Sequence, residues 1–155
     1  MPQRKLATAA ATIALIVALS GCAQAKPVIG HADDAAPLLK QAARALGLAE
    51  DEVKPVLGTT DEAALKRMLD AIARYKDQDV IETCGDVREA IGRVEGITQQ
   101  DISDMLHEAA AIADQYAEAA QLRDSITAYY VHGADIGDIY DAADGFTMVV
   151  CVDFG

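Results

Sequence analysis

The stretch TQQDISDMLHEAAAIADQYAEAA, residues 98–120, decides the fold class. Its apolar positions Ile102, Met105, Leu106, Ala109, Ala113, Tyr116 and Ala120 recur at steps of three and four, the spacing of one helix face. Thr98, with Asp101 three residues on, offers a capping hydroxyl and a negative charge at the positive end of a helix dipole. The spacing predicts one long helix over 98–120. Much of its stripe is alanine, which buries little area but lets helix axes approach closely. Met105 and Tyr116 read as core residues rather than cofactor contacts.

Upstream, Val80, Cys84, Val87, Ile91 and Val94 alternate at steps of four and three, a second helical seam. Gly85 and Gly92 weaken it, and Gly96 is placed to stop it. Thr59 or Thr60 begins the next helix, and Thr59 and Glu62 have capping-box spacing ahead of Leu65, Met68, Leu69 and Ile72, with Lys66, Arg67 and Asp70 outside. Asp77-Gln78-Asp79 breaks and restarts the chain. Asp33 and Asp34 cap a first helix whose apolar face is Leu38, Leu39, Ala42, Ala43 and Leu46, with Pro37 in its first turn and Gly47 at its end. Residues 48–58, with Pro55, connect the two and hold a short helical turn.

Downstream the pattern loosens. Residues 126–131 are β-branched and aromatic and read as a strand or a helix end. His132-Gly133 is a break, residues 134–144 form a short acidic helix ended by Gly145, and residues 146–154 read as extended. The last segment could pair with residues 126–131 as a ribbon, although two strands alone are marginal. The expected architecture is a mainly α domain over residues 33–155, a bundle of four or five helices with an extended C-terminal segment.

The N-terminus carries a different signal. Arg4 and Lys5 precede residues 6–19, fourteen residues without a charge. That is the length of a signal-peptide core, whereas a membrane span needs roughly 20 apolar residues. The run ends in Leu19-Ser20-Gly21-Cys22, which resembles the lipobox of bacterial lipoproteins. The resemblance covers residues 1–22 and implies cleavage of residues 1–21, a diacylglycerol thioether on Cys22 and fatty acylation, palmitate for example, of its amino group. Residues 22–32, with Pro27 and Gly30, would then be a tether. Such a protein sits on the extracytoplasmic side of the cell membrane; Ala23 leaves inner or outer membrane to the envelope type.

Of three cysteines, the lipobox uses Cys22. Export would carry Cys84 and Cys151 to an oxidising space where thiols pair, and only one pairing remains. No Cys-x-x-Cys motif suggests redox chemistry. Loss of Arg4 and Lys5 from thirteen basic residues leaves eleven against twenty-five acidic ones, a net charge near −14. Nucleic acid and anionic head groups would repel such a surface. Membrane affinity must therefore come from the acyl chains on Cys22, and two or more chains hold stably where one does not.

Catalytic motifs are incomplete. His107-Glu108 opens a His-Glu-x-x-His zinc motif, but position 111 is alanine, so the second ligand is missing. Ser103 and Ser125 lack a Gly-x-Ser-x-Gly elbow. Carboxylate pairs for glycoside cleavage abound, but there is no Trp for sugars to stack on. His132, Asp135, Asp138, Asp141 and Asp144 follow at steps of three. On a helix each step lags a full turn by about 60°, so the series winds round the axis and reads as a solvated acidic face. Asp138, Asp141 and Asp144 are the residues to test for a metal, and no cofactor is called for. Two functions remain. One is a lipid-anchored binding or interaction module of the cell envelope, not an enzyme, with a possible envelope protein as partner. The other is a carboxylate-based, metal-dependent ligand binder or envelope enzyme.

Overall fold

The computed structural model describes residues 32–152, so the leader, Cys22, residues 23–31 of the expected tether and residues 153–155 lie outside the described residues, and Ala32, expected in the tether, is the first residue of α1. The chain is mainly helical, and among the described residues there is no strand. The helices are α1 (Ala32–Leu46), α2 (Val53–Leu57), α3 (Glu62–Lys76), α4 (Val80–Ile91), α5 (Gln99–Ile112), α6 (Ala117–His132) and α7 (Ile136–Val149). A 3-10 turn, Glu50–Glu52, leads into α2.

Side-chain caps set most of the starts. Thr98 Oγ1 accepts from the Asp101 N–H at 3.1 Å, while Asp101 Oδ2 accepts from the Thr98 N–H at 2.9 Å. Asp79 and Asp135 accept from the N–H groups of Ile81 and Gly137 at the heads of α4 and α7. At α3 the cap is Asp61, which accepts from Ala64, and the expected capping residue Thr59 instead donates its hydroxyl to Asp61. Gly47 and Gly133 end α1 and α6 with φ of +68° and +66°, a conformation that costs glycine little.

Three expectations need correction. The long helix over 98–120 is two helices: the Gln115 and Tyr116 N–H groups both reach back to the Ile112 carbonyl, at 2.9 and 3.1 Å, and the chain turns there. The reason is tertiary. Ile112 on one side and Ala119 and Leu122 on the other are all buried, and turning lets α6 fold back against α5. The α4 seam stops earlier than expected, at Ile91, and Val94 stands fully exposed in the following loop.

The C-terminal correction is larger. Neither 126–131 nor 146–154 is extended within the described residues. The first lies inside α6, with Ile126 and Thr127 buried; in the second, α7 runs through Gly145 to Val149 and buries Phe146. Helix propensities differ by only about 0.7 kcal/mol among ordinary residues. Burying an Ile or Phe contributes about 1.5–3 kcal/mol, so packing decides. The helix count therefore exceeds the four or five expected because the long helix divides and α2 forms, while α7 is the expected acidic helix of residues 134–144 extended through Gly145 to Val149.

Helix α5 lies between α3 and α6; α1 packs on α3, and α7 on α6 and α4. Leu46, Val53, Leu65, Ile102, Leu122, Ile126, Ile139 and Phe146 form the shared core. Cys84 of α4 is joined by a disulfide to Cys151, just past α7, with their Cα atoms 5.7 Å apart. The Arg88 guanidinium also donates to the Cys151 carbonyl at 3.4 Å. The end of α7 is thus fastened to α4 by covalent and polar contacts. No helix among the described residues is long and apolar enough to cross a membrane.

Candidate functional site

Two neighbouring segments repeat one spacing. Asp86, Glu89, Ala90 and Arg93 on α4 and its exit, and Asp101, Asp104, Met105 and Glu108 on α5, stand at i, i+3, i+4 and i+7. That spacing keeps each set on one helix face. The two faces meet, with Tyr75 from the last turn of α3, around a cleft of about 260 Å³.

The rim is well partnered. Arg93 pairs with Glu89 at 3.2 Å and with Asp101 at 3.4 Å. Gln100 donates to both Asp104 oxygens at 2.9 and 3.0 Å, and Gln78 donates to Asp86 at 3.3 Å. Hydrogen bonds from Thr98 hold the Asp101 carboxyl below the usual carboxylate range.

The floor is different. Glu108 is 2% exposed, and among the described residues no group donates a hydrogen bond to its Oε2. Its near neighbour Asp86 is another acceptor, so a hydrogen bond between them requires a proton on one of the two. Burial, above all, pushes the Glu108 acid up to about 8, and the charges of Asp86 and Asp104 add to the effect. At neutral pH Glu108 is therefore a neutral acid beside carboxylates. Tyr75 feels the same field: burial first, then Glu108, Asp104 and Asp86, raise its hydroxyl above the ordinary phenol value.

Chemically, the cleft offers a proton that can leave, carboxylate acceptors at its wall, and apolar atoms from Ala90 and Met105. It is a site for hydrogen-bond donors and positive charge, hostile to anions because its one guanidinium is occupied by Glu89 and Asp101. In the sequence Asp101 reads as a cap, Met105 as core and Glu108 as half of an incomplete zinc motif. The readable signal is the pair of acids three apart on each of two adjacent helices, Asp86 with Glu89 and Asp101 with Asp104, the second followed by Glu108 one turn on.

The other expected residues are placed as follows. His107 points away from the cleft, half-buried beside Arg67, Met68 and Ser103, and burial pushes its imidazole down. His132 Nε2 stands 3.9 Å from Glu52 Oε1. Asp135 caps α7. Asp138 and Asp141 face a shallow groove between α6 and α7 with Asp124 and Ser125, and Asp144 is exposed outside that groove. Among the described residues no three His, Cys, Asp or Glu side chains converge as metal ligands would. Cys22 lies outside the described residues.

Fold and cleft together define an acidic helical domain with a clamped last helix and a buried, protonated carboxyl at the floor of a cleft. Comparison of the chain with family models, with curated proteins and with solved structures gives no match.

Proposed function

We propose that this chain is an exported lipoprotein whose helical domain is a binding module at the extracytoplasmic face of the cell membrane, with the Glu108 cleft as its ligand site. Residues 1–21 are removed, acyl chains on Cys22 enter the bilayer, and residues 22–31, ahead of α1, let the domain stand off the surface. The order of Arg4 and Lys5, an uncharged run and Leu19-Ser20-Gly21-Cys22 supports the anchor. Binding rests on one observation, the buried Glu108 Oε2 that receives no donor within the described residues. Buried polar oxygens are otherwise almost always bonded, and such exceptions concentrate at functional sites.

A second reading has a specific observation in its favour. An acid held neutral near pH 7 beside a carboxylate is the arrangement general acid catalysis uses. Envelope enzymology would then begin at Glu108 and Asp86 rather than at Asp138, Asp141 and Asp144.

The anchor is tested by Cys22→Ser. The expected variant keeps its leader, lacks the mass of the diacylglycerol and amide-linked chains, and does not incorporate labelled palmitate. Intact-mass spectrometry and palmitate labelling read this directly. Unchanged mass and labelling in the variant would overturn the proposal.

A further inference from the structure

We infer that the ligand of the Glu108 cleft is a short primary aliphatic ammonium, its nitrogen paired with the Glu108 carboxyl and its alkyl chain against Ala90 and Met105. The inference rests on the cleft being a ligand site and adds the chemical class that fills it. Four alternatives compete. An anion would face Asp86, Asp104 and Glu108 with no free guanidinium to meet it. A metal ion needs at least three converging ligands, and among the described residues no such group exists. A neutral donor would satisfy Oε2 but gain none of the charge-assisted strength, about twice that of a neutral bond. A quaternary ammonium has no N–H to offer, and Tyr75 alone makes no aromatic cage for it.

A primary ammonium fits each feature. One N–H donates to the Glu108 carboxyl, and the charge lies near the carboxylates of Asp86 and Asp104 in the cleft wall, without the three having to converge on one point. A cavity of about 260 Å³ holds a chain of a few carbons, not a large ligand. Binding replaces the Glu108 proton with the ammonium charge, and the proton leaves to solvent. The groups that face this exchange are Tyr75 from α3, Asp86 and Glu89 from α4, Arg93 from its exit, and Asp101 and Asp104 from α5. Alkylammonium, like lysine, stays charged throughout the pH range in which Glu108 titrates.

The test is isothermal titration calorimetry of the whole protein in nonionic detergent, with n-butylammonium as probe. Measurement at pH 7 in phosphate and in HEPES, neither of which carries a primary ammonium, should show 1:1 binding with release of close to one proton. Affinity should rise about tenfold between pH 6 and pH 7, as linkage to one proton requires. Glu108→Gln should weaken binding about tenfold or more and abolish proton release, while n-butanol and tetramethylammonium should not bind. Equal binding of tetramethylammonium, or n-butylammonium binding that Glu108→Gln leaves intact, would overturn the inference. Glu108-dependent binding of n-butanol without n-butylammonium would overturn the ammonium and leave the cleft as a ligand site. Failure of every probe, with Glu108→Gln altering stability alone, would overturn both.

Discussion

Replacing Cys84 and Cys151 together by alanine is expected to lower the unfolding free energy by about 4 kcal/mol, the chain-entropy value for a bond between residues 67 apart in sequence. For a domain whose total stability is of the order of 5–15 kcal/mol, that is a large share. The physical route is the C-terminal end of α7. Without the bond, the end of α7 is held by Arg88 and by the packing of Phe146 and Val150, while the unfolded chain regains the freedom the cross-link removed. Urea unfolding of oxidised protein and double variant at pH 6 measures the difference. A loss under about 1 kcal/mol would show that packing alone fixes α7 and that the bond contributes little.

The second large effect belongs to Glu108. Its acid is pushed from 4.5 to about 8 in the folded protein, so between those values the folded state holds a proton that the unfolded state has lost. The stability that goes with that proton is fully present below about pH 4.5 and falls as the pH rises through about 8. At about 1.36 kcal/mol per pH unit, the loss comes to roughly 3–5 kcal/mol. Glu108→Gln keeps the shape, supplies a permanent donor toward Asp86 and removes the titration. The variant should therefore match the natural protein near pH 4.5 and exceed it by several kcal/mol at pH 8.5. Urea unfolding at the two pH values checks this, and the difference between the proteins cancels the titration of all other groups. Parallel curves for the two proteins would contradict it.

How much of this was legible in the sequence follows from which residues decide each feature. Helix class could be read because local signals agree with packing in α1, α3 and α4, where apolar stripes mark the helices, Asp79 the start of α4 and Gly47 the end of α1. The break at residues 113–116 could not be read, because Ala113 and Tyr116 continue the helical stripe and only the fold-back of α6 onto α5 interrupts it. The same holds for α7: Phe146, Val149 and Val150 have strand-like side chains, and a helix there is fixed by contact with α6 and α4 and by Cys151. The pairing of Cys84 with Cys151 was open to simple counting once Cys22 was set apart.

The cleft was hidden for a related reason. A stripe of acids beside an apolar stripe is the ordinary pattern of a solvated helix face. Asp104 is such a residue, and nothing local distinguishes Glu108 from it. What separates them is the approach of α4 and Tyr75, which covers Glu108 and leaves Asp104 at the rim. Adjacent helices carrying acids in one repeated register were the only hint, and register becomes informative only when the two helices are known to pack together.

The carboxyl carbon of Glu108, followed by ¹³C NMR as pH is raised from 4 to 10, tests the account most directly. A neutral acid at the floor of the cleft predicts a titration midpoint near 8 that is absent from Glu108→Gln. A midpoint close to the ordinary glutamate value, about 4.3, would mean that Glu108 is charged at neutral pH, and the account of the cleft would be wrong.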